Sequence, residues 1–347
     1  MRGRESIDLN LLLGKRGLFR RMKKLIIFAL IVACFFSYSA KAEERDPSYF
    51  DDFYDVSIVD DHLIWIVGSH GTILHSSDRG ESWVVQKGGT DDSLSSVWAI
   101  DAKHLWIAGT YGTVLRTEDG GRRWERIPTP TKDHLFSIQF INPQRGWIAG
   151  ERGVIIDTEN GGGKWRTHSF GNDALLYGVS FLDSQNGYIA GEFGNIYHTP
   201  DGGKTWKQQV TGIEEGLLSE RSQCLFDILF RDKDHGYAVG LDGGMLNTDD
   251  GGRSWKYTRE IGGKNHLLDM ALGGQGIWMV GQRGTLVHKE LSSNRWNRIN
   301  LGSKQPLNAI AMGKKLGIVV GSNGTVIRTE DEGAHWEILK PADRRGK

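Results

Sequence analysis

Acidic side chains recur in this chain at a spacing that invites a chemical reading. Asp78, Asp119, Asp201, Asp250 and Asp331 each lie in a Ser/Thr-x-Asp-x-Gly-x-x-Trp segment. The leading hydroxyls are Ser76, Thr117, Thr199, Thr248 and Thr329, and the closing rings are Trp83, Trp124, Trp206, Trp255 and Trp336. One further copy carries Asn160 in the acidic position before Trp165, and another keeps Trp296 but has Lys289, Leu291 and Ser293 in place of the polar pattern. Acid–base work on a glycosidic bond needs two carboxyl groups within about 5–10 Å. Equivalent acids repeated at a fixed interval are instead spread one per structural unit. Such a carboxylate can accept N–H bonds within its own turn while the tryptophan packs across neighbouring strands. We therefore expect a structural role for Asp78, Asp119, Asn160, Asp201, Asp250 and Asp331, and no catalytic residue. No clustered His/Cys spacing, phosphate loop or nucleophile motif competes with that reading, so no metal and no cofactor are expected.

The units that hold these acids are marked by glycines. Gly68, Gly109, Gly150, Gly191, Gly240, Gly281 and Gly321 are each followed three residues later by a second glycine, and twelve residues after that by a tryptophan. Successive first glycines are 41, 41, 41, 49, 41 and 40 residues apart. A period near 40 is the signature of a repeat architecture.

One repeat reads as four short strands. Val97–Ile100, Leu105–Ala108, Thr113–Thr117 and Arg123–Ile127 are separated by turn residues, with Gly112 placed where a left-handed conformation is needed. Consecutive aliphatic residues recur in the third strand, as Ile73-Leu74, Val114-Leu115, Ile155-Ile156, Leu286-Val287 and Val326-Ile327. Neighbours on a strand face opposite sides, so both faces of each sheet must be buried. Seven such units stacked face to face predict an all-β, seven-bladed β-propeller with four antiparallel strands per blade. The blades are expected at about 53–88, 94–128, 135–169, 175–210, 225–259, 266–300 and 307–340. Residues 43–52 form a lead-in, the propeller ends at 341, and 342–347 form a tail.

The formal charge of zero hides an asymmetry. Residues 1–42 hold nine Lys or Arg and two Asp or Glu; taken from 43 of each, that leaves 34 basic against 41 acidic, a net charge of −7. An acidic body without a basic block argues against nucleic acid as a partner. The basic excess belongs to an expected export signal over residues 1–42, with Arg20, Arg21, Lys23 and Lys24 before an apolar run from Leu25 and a small-residue site at Ala40-Lys41-Ala42. Counted from Met22 it has ordinary length, so a start at Met22, with 1–21 as a start-site extension, stands beside a start at Met1 as an expectation. The expected location is periplasmic or lumenal. A retained membrane anchor is the competing reading, although the apolar run is short of the about 20 residues needed to span a bilayer. Ile31-Val32-Ala33-Cys34 also resembles a lipobox, which would anchor the chain through Cys34, the one route to membrane contact. Cys224 is the other cysteine, read as a small buried hydrophobe.

Binding is expected on one face. The second-to-third strand turns share that face with the connections between blades. Their side chains include Tyr111, Arg152, Phe193 and Arg283, types common at binding hot spots. The long interval places an insertion, Thr211–Gln223, on the same face with Glu214, Glu215 and Arg221, and long loops there are often functional. We expect a monomer.

The Gly-x-x-Gly plus boxed-aspartate pattern resembles the photosystem II stability and assembly factor family. The stretch Gly109-Thr110-Tyr111-Gly112-Thr113-Val114-Leu115-Arg116-Thr117-Glu118-Asp119-Gly120-Gly121 carries the likeness, which extends over residues 53–340. The resemblance implies a non-enzymatic, seven-bladed propeller that binds newly made photosystem subunits on the lumenal side. It implies a protein partner, a membrane-protein subunit or an envelope complex under assembly. Arg116, Arg152, Arg283 and Arg328 are the candidates for the family's arginine-rich surface. Sialidases share the boxed aspartate and supply the alternative, a glycoside hydrolase or carbohydrate-binding propeller. That family carries an Arg-Ile-Pro motif ahead of its first box and has six blades. Here Arg126-Ile127-Pro128 follows a box and the repeats number seven.

Overall fold

A computed structural model describes residues 51–339, apart from 172, 212–223, 260, 275 and 294. The expected export signal, Cys34, the insertion side chains Glu214, Glu215 and Arg221, and the tail 342–347 lie outside the described residues.

Seven four-stranded antiparallel sheets are present, each with its strands in chain order. The expected seven-bladed propeller is the fold. In the second blade the strands are Leu94–Ala99, Leu105–Gly109, Val114–Thr117 and Glu125–Arg126. The innermost strand starts three residues earlier than its apolar pattern indicates, because a β-bulge at Ser95 breaks the alternation behind Leu94. The outermost shrinks to Glu125 and Arg126, both exposed, since no further blade covers it.

Both faces of the middle strands are buried, as the paired aliphatics require. Val114 and Leu115 have no exposed surface, nor do Ile107 and Ala108 beside them. The core is divided into seven clusters between adjacent blades. In one, Trp65, Val67 and Ile73 of the first blade pack on Val97, Ile107 and Leu115 of the second. The tryptophans at the heart of these clusters are not those of the boxes. Trp65, Trp106, Trp147 and Trp278, all on second strands, are fully buried. Among the box rings Trp255 is buried, whereas Trp165 and Trp206 are half-buried, because they cap the outer rim of the sheets.

The innermost strands meet each other around the axis and form no ladder there, so their edge N–H groups need other acceptors. Side chains of the preceding blade supply them. Asp55 accepts from Val97 N at 2.8 Å and Ser96 Oγ accepts from Ile138 N at 3.3 Å. Gln139 accepts from Phe181 N at 2.6 Å and Ser180 Oγ from Phe230 N at 3.0 Å. Asp227 accepts from Met270 N at 3.1 Å and Asp269 from Ile310 N at 2.7 Å. Asn308 then donates to Phe53 O at 2.8 Å, closing the circle from seventh blade to first. Arg328 reinforces that seam, donating to Arg79 O at 3.0 Å and pairing with Glu81 at 2.7 Å.

Candidate partner-binding face

The boxed aspartates are held inside their own turns. Thr199 Oγ1 donates to Asp201 at 2.8 Å and accepts Gly203 N at 2.8 Å, while Asp201 accepts Thr205 N at 2.9 Å and Thr205 Oγ1 at 2.6 Å. Asp78, Asp250 and Asp331 repeat the pattern, and Asp119 accepts Arg123 N at 2.9 Å. The hydrogen bonds of Thr205 pull the Asp201 carboxyl down to about 2, and those of Ser254 do the same for Asp250. Asn160 does the job without a charge, its Oδ1 accepting Lys164 N at 2.8 Å. A neutral amide in the same geometry shows that the turn needs an acceptor rather than an acid. In the sixth blade, which lacks the box, the third strand runs on to Glu290.

The glycine pairs clamp the connections between blades. Thr110 N donates to Ser93 O and Gly112 N to Asp133 O, both at 2.9 Å. A methyl group on Gly109 would overlap the Ser93 carbonyl oxygen, and one on Gly112 would overlap that of Thr131. Gly112 is left-handed as expected, with φ of 68°, but so is the residue before it. His70, Tyr111, Arg152, Phe193, Asp242, Arg283 and Asn323 all have φ between 55° and 61°. This conformation is costly for bulky side chains. It puts one residue per blade on the same face, on a rigid two-point mount.

Tyr111 and Phe193 are exposed, at 61% and 50%. Arg152 is exposed and pairs with Asp133 at 3.2 Å. Arg283 is exposed as well. The turn geometry brings these four to one face of the ring, each on a different blade. Arg116 and Arg328, the other arginine candidates, are taken by the frame: Arg116 donates to Gly161 O at 3.3 Å and pairs with Glu125 at 2.8 Å, and Arg328 is buried in the closing seam. Arg126 donates to Asp92 at 3.2 Å and Thr113 Oγ1 at 2.8 Å, so its Arg-Ile-Pro segment is part of an outer strand's bonding.

Sequence reading missed a second ring inside the first. Every innermost strand is bulged near its start, which re-aims Tyr54, Ser95, Phe136, Tyr177, Phe226, Leu268 and Asn308 on the same face. Three consecutive blades contribute aromatics here. Phe136 lies 5.2 Å from Tyr177, and Tyr177 lies 5.4 Å from Phe226. Burial lifts the Tyr177 phenol well above its ordinary range, and the charges of Glu192, Cys224 and Glu151 add to the rise. Cys224 is buried, its thiol pushed up to about 12 by burial. The signal for this ring was present in the sequence: a buried Phe or Leu stands 14 or 15 residues before each first glycine, and the residue after it varies.

On the opposite face Asn142, Gln144, Arg145, Glu159, Asp201 and Lys204 line a polar depression. Its arginine is consumed, because Arg145 pairs with Asp157 at 2.5 Å and lies over the Trp147 ring. Among the described residues, no three His, Cys, Asp or Glu side chains are placed to hold a metal ion.

The family model for photosynthesis system II assembly factor YCF48 matches residues 44–132, 124–214 and 211–342. The chain belongs to this family. Two solved structures of YCF48 are similar to it. One, described as YCF48 bound to D1 peptide, is 18% identical with a TM-score of 0.66, over 84% of this chain and 99% of that one. YCF48 from Cyanidioschyzon merolae is 20% identical with a TM-score of 0.67, over 82% and 97%. Virginiamycin B lyase from Staphylococcus aureus is 11% identical with a TM-score of 0.69, over 80% and 94%, a likeness of fold alone. No curated protein sequence matches the chain. Against the YCF48 background, the resemblance carried by the Gly-x-x-Gly and boxed-aspartate pattern is correct.

Proposed function

We propose that this YCF48-family propeller is an exported, non-enzymatic scaffold that holds a subunit of a membrane complex during assembly. One observation carries the reading: a constant frame mounts one side chain per blade on a single face, and those side chains are of six types. His70, Tyr111, Arg152, Phe193, Asp242, Arg283 and Asn323 share one backbone conformation while mixing aromatic, basic, acidic and amide side chains. A catalytic centre concentrates its groups, whereas this arrangement distributes them over a broad surface suited to another protein. The likeness to a YCF48 structure described with a D1 peptide supports a peptide segment of a membrane subunit as the thing held. The signal over residues 1–42 supports export, with release after Ala42 or anchoring through Cys34 as the two forms of the mature chain.

Tagged protein, cross-linked in envelope or thylakoid membranes and purified, should bring down a membrane-embedded subunit. Recovery no better than from an untagged control sinks the proposal. A fluorogenic sialoside should remain intact with the protein. Turnover abolished by replacing Arg126 would move the protein to the glycoside hydrolases.

A further inference from the structure

Tyr177 is buried to 6% exposure, yet its hydroxyl meets no hydrogen-bond partner among the described residues. A buried, unsatisfied hydroxyl is costly and calls for a partner. Carboxylates that act on it are those of Glu192 and Glu151, from the turns of the fourth and third blades, with Cys224 beside them. Both carboxylates are anchored: Glu192 accepts Leu175 N at 3.1 Å and Glu151 accepts His134 N at 3.3 Å. On either side of the Tyr177 ring stand Phe136 and Phe226, with His266 6.4 Å beyond Phe226. The arginine on the same rim, Arg152, is neutralised by Asp133.

Aromatic faces, a phenol oxygen and two fixed carboxylates make a surface for a cation. An anionic group would meet the repulsion of Glu151 and Glu192, and a purely apolar one would leave the hydroxyl unpaired. We propose that the mouth between the third, fourth and fifth blades docks a lysine side chain carried on an extended segment of the protein partner. The ammonium donates to Tyr177 Oη, with Glu151 and Glu192 as counter-charge, and its alkyl stem packs on Phe136 and Phe226. The Tyr177 proton then donates to a backbone carbonyl of the same segment. This inference rests on the protein-binding reading and states what the partner presents.

The test uses the full chain and fluorescein-labelled, acetylated and amidated peptides of Gly, Ser, Ala and Leu around one central lysine, norleucine or glutamate. Anisotropy should show the lysine peptide binding about tenfold more tightly than either counterpart. Glu151→Gln with Glu192→Gln should abolish that preference, and Tyr177→Phe should weaken the lysine peptide without lowering the melting temperature. Equal or tighter binding of the norleucine or glutamate peptide overturns the proposal, as does an affinity for lysine unmoved by these variants. Absence of all peptide binding, alongside intact capture of a membrane subunit by cross-linking, refutes the lysine site and leaves the assembly role standing. Lysine-selective binding without capture has the reverse meaning.

Discussion

The carboxylate of Asp227 accepts the main-chain N–H of Met270 across the boundary between the fifth and sixth blades, 3.1 Å apart. Asp269 does the same for Ile310 one blade further, and Asp55 for Val97 on the far side of the ring. These bonds hold the inner strands together, at the expense of placing three acids near one axis. Burial pushes Asp55 up to about 6 and raises Asp227 as well. Burial and the charges of Asp227 and Asp55 raise Asp269 well above its usual range.

Stability should therefore fall as pH rises through neutrality. A carboxyl whose folded value exceeds its unfolded value of about 4 favours the fold while protonated, and that contribution is lost as pH climbs through the folded value. Melting temperatures measured from pH 5 to 8 should decline, and Asp227→Asn should flatten the decline, stabilising at pH 8 with little effect at pH 5. A profile for the wild type that is level across this window would contradict the raised values.

Asp157 sets the opposite limb. It has no exposed surface and is bonded to Arg145 at 2.5 Å, Arg166 at 2.6 Å and His168 at 2.8 Å. Burial alone would raise its carboxyl, but the hydrogen bonds of His168 and Arg166 and the charge of Arg145 hold it low. A depressed carboxyl contributes in full above its unfolded value of about 4, and that contribution is lost as pH falls through its lower folded value. Asp157→Ala strands a buried Arg145 and should cost about 3–5 kcal/mol in urea unfolding at pH 7. A loss under 1 kcal/mol would mean that solvent reaches the arginine.

Trp147 and Trp206 should respond differently to truncation. Trp147 is fully buried, stacks on Phe181 at 3.6 Å and donates to Gly202 O at 3.1 Å. Its replacement by alanine should cost about 3–5 kcal/mol, and that of half-buried Trp206 less than half as much. Equal losses measured by denaturant unfolding would place the box ring in the core after all.

The frame was legible because the same constraint recurs seven times. Gly109 and Gly112 reveal themselves by spacing alone, since only glycine lets a carbonyl sit where a Cβ would be. Val114-Leu115 reveals two buried faces. Tyr177 was hidden for the converse reason. Its place depends on a bulge, and a bulge shifts the period-two alternation on which strand reading relies. The buried Trp147 carries no constant mark, because the equivalent second-strand position is Trp65, Trp106 and Trp278 in three other blades but Tyr188, Tyr237 and Ile318 in the rest. Asp157 could not be separated from any polar strand residue, because its partners Arg145 and Arg166 are brought to it by folding.

Arg152 and Arg283 offer a clean separation of binding from folding. The Arg152 side chain is 66% exposed, and an ion pair of that kind contributes about 0–1 kcal/mol. Arg152→Glu with Arg283→Glu should shift the melting temperature by no more than about 2–4 °C while reducing recovery of the cross-linked partner. A large loss of stability would assign both arginines to the frame.

Phe193 gives the sharpest contrast between frame and face. It is half-exposed at φ of 61°, a conformation that asparagine adopts far more readily than phenylalanine. If the ring were there for packing, its removal would destabilise. Because the ring faces outward on a strained mount, Phe193→Asn should instead stabilise by about 0.5–1 kcal/mol, and Tyr111→Asn should do likewise from its own turn at φ of 57°. The same variants should capture less partner in the cross-linking assay, which is the trade expected where strain is kept for recognition. Differential scanning calorimetry beside capture yield decides the matter. A stabilised protein with undiminished capture would remove these two aromatics from the binding face, and a destabilised one would make them part of the core.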